Sequence, residues 1–268
     1  MDVTGRVFVV TGGGNGMGRE VVLGLLARGA RVAAVDLSAE GLDETAALAK
    51  APDGHLTTHA LNVTDRAAVL ALPDAVIAAH GQVDGVLNIA GIIQKFVKLD
   101  ELGFEDIERV MNVNFWGVVN MTKAFLPHLL ARPAAAVLNV SSMGGFLPVP
   151  GQAAYGASKA AVKLFTEALY AESQGTNLAV TVVFPGAIAT NITGNSGVEI
   201  PNAEAMTGGR TPKTTSAADA GRQIIEGVEK GSFRVVIGGD ARFLDRLARL
   251  APRKATEFIA KQMKALLG

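Results

Sequence analysis

Arg6-Val-Phe-Val-Val-Thr11 runs straight into Gly12-Gly-Gly-Asn-Gly-Met-Gly18, and Arg31-Val-Ala-Ala-Val-Asp36 follows after one helical segment. The first run is short, apolar and β-branched, the composition of a buried strand. Behind the glycines, Val21, Val22, Leu25 and Leu26 recur at helical spacing. Strand, glycine turn, helix, strand and terminal acid fit one βαβ unit of about thirty residues. In such a unit the glycines make a tight turn, admit a pyrophosphate to the backbone and let helix and strand approach closely. The helix N-terminus offers free N–H groups and a positive dipole end to phosphates, and Asp36 is placed to hold ribose hydroxyls. Gly12, Asn15, Gly16, Met17, Gly18, Asp36 and Leu37 are therefore candidate nucleotide contacts.

Outward from this unit the alternation continues. Residues 42–48 and 67–79 read as helices, 55–63 and 83–90 as strands, and one long helix is expected over about 104–130, with Pro127 near its end. Strands are expected at 135–141, 178–184 and 233–237, and a helix from Tyr155 to about Ser173. Continuous apolar strands between amphipathic helices predict a parallel sheet covered on both faces. The expectation is one doubly wound α/β domain over 1–268 with a seven-stranded parallel sheet. Two irregular stretches, 143–151 and about 185–215, interrupt the pattern. The second is too long for a routine connection and is expected to act as a substrate loop. Both should lie beyond the carboxyl ends of the strands, where ligands bind in open α/β sheets.

Composition narrows the classes. Lys plus Arg and Asp plus Glu number 25 each, so no global basic field invites nucleic acid. Hydrophobic residues at 49% supply a large core. Cysteine is absent, which excludes disulfides and thiolate zinc sites. His55, His59, His80 and His128 are scattered, and no metal site is expected. No uninterrupted apolar run approaches a membrane span, and no basic leader precedes the first strand, so a cytoplasmic protein is expected.

Tyr155-Gly156-Ala157-Ser158-Lys159 carries the chemistry. A tyrosine and a lysine four apart share one helix face. Tyrosine ionises near pH 10, and a nearby ammonium favours its phenolate. Lowering the pKa by about three units needs roughly 4 kcal/mol, more than one charge readily supplies. A second source of positive potential is expected.

Thr11-Gly12-x-x-x-Gly16-x-Gly18, Asn88-Ile-Ala-Gly91, Asn114, Ser142, Tyr155-x-x-x-Lys159 and Pro185-Gly186 occur together and in order. From about Val7 to Ile237 the chain resembles the short-chain dehydrogenase/reductase family of the classical type. The resemblance implies a Rossmann-type fold and hydride transfer between nicotinamide and an alcohol or carbonyl carbon. It makes Tyr155 the acid/base, Lys159 its modulator and a ribose contact, Ser142 the residue that orients the substrate oxygen, and Asn114 the holder of a proton-relay water. The cationic nicotinamide ring would supply the second positive potential. Asn88, Ala90 and Gly91 would support the cofactor pocket, Thr190 would contact the nicotinamide amide, and Pro185, Gly186 and Ile188 would flank it.

Asp36 would repel a 2′-phosphate, Leu37 and Asn15 are neutral, and Arg19 is expected to be solvated, so NAD is favoured over NADP. Two departures from the family pattern stand out. Asn62, followed by Val63, replaces an adenine-contacting Asp, and its amide oxygen can still accept a hydrogen bond. Ile89 replaces a second Asn. Ile93, Phe96, Met143, Phe146, Leu147, Val149, Ile188 and Ile192 suggest an apolar pocket, and hence an aryl, alicyclic or steroid-like alcohol or ketone. From Asp240 onward, Phe243, Leu247 and Leu250 form one apolar row, and Ile259, Met263, Leu266 and Leu267 another. Such a tail could cover a longer substrate, and a 3-hydroxyacyl or hydroxysteroid dehydrogenase is the alternative. A nucleotide-binding regulator without turnover is the alternative from another class. The resemblance also implies a dimer or tetramer, with the helices around Asn114 and Tyr155 in its main interface.

Overall fold

The computed structural model of the protein describes residues 1–199 and 214–263. The glycine-turn unit forms as read: β1 (Val7–Thr11), α1 (Gly16–Leu26) and β2 (Arg31–Asp36). The chain continues through α2 (Ala39–Ala49), β3 (Leu56–Ala60), α3 (Arg66–His80) and β4 (Gly85–Asn88). Next come α4 (Phe104–Met111), α5 (Gly117–Leu130), β5 (Ala135–Val140), α6 (Ala153–Glu172) and β6 (Leu178–Pro185). The second half closes with β7 (Ile188–Ala189), α7 (Ile192–Ser196), β8 (Thr215–Ser216), α8 (Ala217–Lys230), β9 (Arg234–Ile237), α9 (Gly239–Leu250) and α10 (Pro252–Gln262). Helix starts follow their caps: Ser38, Asp65 and Ser216 each accept from the backbone N–H three residues on.

Seven strands make one sheet in the order β3-β2-β1-β4-β5-β6-β9, every pair parallel. The order reverses direction between β1 and β4, so a crevice opens at their carboxyl ends. Period-two alternation divides the core. Phe8 and Val10 face α1 and α8, with Val21, Leu25, Ile224 and Ile225. Val7 and Val9 face α3 and α5, with Val69, Val76, Met121 and Phe125. All of these are fully buried, each contributing about 1.5–3 kcal/mol.

The helix expected over 104–130 is not continuous. Between α4 and α5, Asn112–Trp116 widen into a π-helical segment, with Gly117 N–H donating to the Asn112 carbonyl. Such bulges reorient one side chain, here Asn114, which is fully buried and bonded outside its own helix. The stretch after β6 contains β7, α7 and β8, while residues 200–213 of the expected loop lie outside the described residues.

The tail folds as two helices. Leu147, Leu244, Ala255 and Ile259 form a third apolar cluster, joined by Met143, Phe146, Leu247 and Met263. The row read from sequence is therefore off register. Phe243 and Leu250 are exposed, whereas Ala241 and Leu244 are buried and Leu247 packs on the cluster. Leu266 and Leu267 lie outside the described residues. No helix among the described residues is long and apolar enough to cross a membrane.

Candidate active site

Gly12 and Gly16 adopt φ of +74° and +50°, which admits the chain to a turn that other residues resist. A Cβ on Gly18 would lie 2.0 Å from the Gly12 carbonyl oxygen, so the third glycine is required for helix and turn to meet. Asn15 caps α1, its Oδ1 accepting from Gly16 N–H at 2.6 Å. A cleft of about 400 Å³ opens over this turn. Its walls are the turn itself, Asp36 and Leu37, Asn62 and Val63, Ala90 to Ile92, and from the far side Thr190, Ile192 and Asn195. Thr190 lies over the turn, its Cγ2 3.3 Å from where a Cβ on Gly16 would be.

Asp36 is fixed rather than free. One carboxylate oxygen accepts from Gly14 N–H at 2.9 Å and the other from Ser38 N–H at 3.0 Å. Each oxygen keeps acceptor capacity toward the cleft. Arg19 is not solvated, as the sequence suggested. Its guanidinium reaches the Gly14 and Gly41 carbonyls, Thr45 Oγ1 at 3.0 Å and Glu44 at 2.6 Å. It holds α2 against the glycine turn and is not available to a phosphate in the cleft. Asn62 uses its amide oxygen locally, accepting from Thr64 N–H and Oγ1–H at 3.0 and 2.9 Å.

Asn88 does not line the cleft. It is buried in β4, and its amide donates to Asn139 Oδ1 at 2.8 Å and Thr122 Oγ1 at 3.3 Å on the face toward α5. Its place on a central strand between two helical layers dictates that cross-strand role. Gly91 is different: a Cβ there would meet Lys159 Nζ at 3.0 Å and Asn114 Oδ1 at 3.2 Å. Glycine lets the β4 loop pass this close to α6 without displacing Lys159 or Asn114.

The four sequence candidates for chemistry converge at the end of the cleft. Lys159 is buried and its Nζ donates to the Val140 carbonyl at 3.0 Å, 5.9 Å from the Tyr155 ring centre. Burial pushes its pKa down to about 8. Tyr155 keeps part of its surface open, but the atoms crowding the phenol push its pKa up, opposed by a hydrogen bond with Ser142. The direction is opposite to the lowering expected from Lys159: desolvation of the phenol outweighs the Ser142 hydrogen bond that opposes it. Asn114 accepts from Ile92 N–H at 2.8 Å and donates to the Ile92 carbonyl at 2.9 Å and to Ser158 Oγ at 3.0 Å. Ser158 in turn donates to the Tyr155 carbonyl at 2.7 Å.

Among the residues expected to meet substrate, Ile192 lines the cleft and Ile93 is buried beside it. Met143 packs partly on the tail cluster. Phe146 turns away, stacking on Phe184 at 5.5 Å beneath the Arg234 guanidinium, because the tail helices leave an apolar seat there. Ile188 packs into the sheet core beside β8. Pro185 ends β6, and a Cβ on Gly186 would collide with the Asp240 carboxylate at 2.4 Å. Asp240 was not singled out from sequence. It accepts from Ala187 N–H at 2.9 Å and so ties the start of α9 to the loop after β6. Its position just past Gly238-Gly239 was the available signal. No group of three metal-ligating side chains occurs among the described residues.

The cradle suits a dinucleotide: a side chain would block the turn at Gly18 and crowd Lys159 and Asn114 at Gly91, and α1 presents its N-terminus to the cleft. Known proteins agree. The short chain dehydrogenase family matches residues 6–200. A putative oxidoreductase, SadH, of Mycobacterium tuberculosis is 43% identical over 251 residues, 92% of this chain and 91% of its own. Levodione reductase of Leifsonia aquatica is 33% identical over 195 residues, covering 72% and 73%. A short chain dehydrogenase/reductase from Burkholderia phymatum, solved in complex with NAD, superposes with a TM-score of 0.82 at 25% identity, covering 93% and 96%. Motifs, sheet order and relatives agree, and this chain belongs to the short-chain dehydrogenase family.

Proposed function

We propose that the chain is an NAD-dependent oxidoreductase interconverting a secondary alcohol and an apolar ketone. The observation that carries the reading is the convergence of Ser142, Tyr155, Lys159 and Asn114 at one end of the nucleotide cleft. Asp36 supports NAD over NADP: its fixed carboxylate can accept from a ribose diol, would repel a 2′-phosphate, and has no free arginine beside it among the described residues. The neighbour from Burkholderia phymatum, solved in complex with NAD, supports the same choice.

In ketone reduction, bound NADH supplies the hydride that reaches the carbonyl carbon. Tyr155 gives its phenolic proton to the carbonyl oxygen, and Ser142 holds that oxygen beside the phenol. A phenol with a raised pKa stays protonated at neutral pH but is a weaker acid, so donation depends on positive charge that stabilises the phenolate. Lys159 would hold the cofactor ribose and places positive charge near the phenolate left behind. Asn114 fixes the Ile92 loop and Ser158, and so the start of the proton path toward solvent.

Ile93, Ile192 and Met143 favour an apolar substrate, and a relative named levodione reductase fits a cyclic ketone. A second reading, a longer hydroxyacyl or steroid-like substrate, draws on the tail helices that extend the apolar surface behind Met143 and Leu147. Both readings take the chain to be a homodimer or homotetramer joined through the exposed Trp116 and Leu164 faces. The test is NADH and NADPH oxidation against alicyclic, aryl, steroid and acyl ketones. Turnover of an apolar ketone with NADH preferred supports the proposal. A preference for NADPH would remove the Asp36 argument, and reduction of small polar ketones alone would remove the substrate class.

A further inference from the structure

Helix α6, which carries Tyr155 and Lys159, begins without a cap of its own. Its N-cap residue is Gln152, whose side chain accepts no backbone N–H of the helix. The first turn of a helix leaves N–H groups unpaired, and a buried start needs an outside acceptor. Gln94 provides one from the loop after β4. It is fully buried, and its Oε1 accepts from the backbone N–H of Tyr155 itself at 3.0 Å. Its Nε2 donates to the Gly151 carbonyl at 3.2 Å, and its own carbonyl accepts from Gln152 Nε2 at 2.8 Å. Three hydrogen bonds from one residue thus bind both sides of the helix start.

The same loop reaches the other members of the site. Ile92 is bonded at both backbone groups to Asn114, and Ile93 N–H donates to Ser196 Oγ of α7 at 3.0 Å. Ile92, Ile93 and Gln94 are consecutive, so one short strand of backbone connects the Asn114 segment, the helix over the cleft and the tyrosine helix. A glutamine is long enough to span this gap and carries the acceptor and donor that Tyr155 N–H and Gly151 C=O require. Burying it completely has a cost that only such a full set of partners offsets.

We infer that Gln94 is a positioning residue for the reaction, acting through the Tyr155 amide to fix the phenol against Ser142 and Lys159. The inference rests on the assignment of Tyr155 as the acid/base. Its consequence is specific: loosening the helix start displaces the phenol but leaves the nucleotide cleft intact, because Gln94 is not among the cleft walls. Displacements of about 1 Å at a reacting group can lower turnover about 100-fold.

The experiment compares Gln94→Met, which keeps length and burial but loses both bonds, with Gln94→Glu, which keeps an acceptor for Tyr155 N–H. For a ketone the wild type reduces, Gln94→Met should lower kcat about 10–100-fold with KM for NADH and the melting temperature little changed. Gln94→Glu should recover most of the loss, since a carboxylate is favourable at a helix N-terminus. A kcat for Gln94→Met within twofold of wild type, a loss appearing in KM for NADH instead, or no recovery in Gln94→Glu would overturn the role. A readout without substrate separates this from failure of the proposed activity. The chain has two tyrosines, so in a Tyr170→Phe background the ultraviolet phenolate signal reports Tyr155 alone. Burial raises that phenol's pKa, so Gln94→Met should bring the midpoint down toward 10 while Gln94→Glu leaves it high. An unmoved midpoint in Gln94→Met would overturn the inference even if no ketone were turned over.

Discussion

Lys159 carries a proton that the fold disfavours. Its pKa in the folded chain is about 8, against 10.5 for an exposed lysine, because burial penalises the ammonium. The unfolded chain therefore binds the proton more tightly, and below pH 8 the folded state bears the whole penalty. That penalty fades as pH rises from about 8 to 10.5, so this group makes the fold more stable across that window, by an amount on the order of 3 kcal/mol. Tyr155, with its raised pKa, costs stability only above pH 10. Urea unfolding should therefore show wild type gaining more stability than Lys159→Met between pH 8 and pH 10. An equal change in the two proteins would place the buried charge elsewhere. That Tyr155 and Lys159 share one helix face was legible from their spacing, but the pKa directions were not. They depend on which atoms crowd the phenol and ammonium, and no spacing rule counts those.

At the level of elements, legibility followed locality. The glycine turn and the strand–helix alternation are short-range signals, and each formed where its residues stood. The π-helical break at Asn112–Trp116 was missed because nothing in Asn-Val-Asn-Phe-Trp breaks a helix locally. The widening is held by bonds from Asn114 to Ile92 and Ser158, distant in sequence. The seat of Phe146 was illegible for a similar reason, since it is made by β6, β9 and the tail. The turn supports a sharp test. In Gly18→Ala the new methyl would lie 2.0 Å from the Gly12 carbonyl oxygen, and the turn must open to admit it. Overpacking of this kind costs about 1–3 kcal/mol, and if the bound state bears that cost, NADH affinity by fluorescence titration should fall about 5- to 150-fold. Unchanged affinity would mean the turn does not hold the cofactor.

Across the molecule, the sheet order places β1 and β4 side by side, and the cleft opens where their following loops diverge. The two faces of the sheet are filled by separate apolar clusters, whereas Trp116 and Leu164 on the outer helices remain 44% and 64% exposed. An apolar surface on the helices that also carry Asn114 and Tyr155 argues for a partner copy there. Light scattering should report a dimer or tetramer, and Trp116→Glu combined with Leu164→Glu should yield a smaller species. A monomeric wild type would contradict this assembly. The tail, read from sequence only as amphipathic, gained its role from contacts with Met143, Phe146 and Leu147 and from the hold of Asp240 on Ala187.

The central claim is that Tyr155 is the proton donor of a hydride-transfer site, and Tyr155→Phe tests it most directly. With the best ketone from the panel and saturating NADH, the variant should lose about 10²–10⁴-fold in kcat while binding NADH as tightly as wild type. Activity within tenfold of wild type would contradict the assignment of the acid and the mechanism built on it.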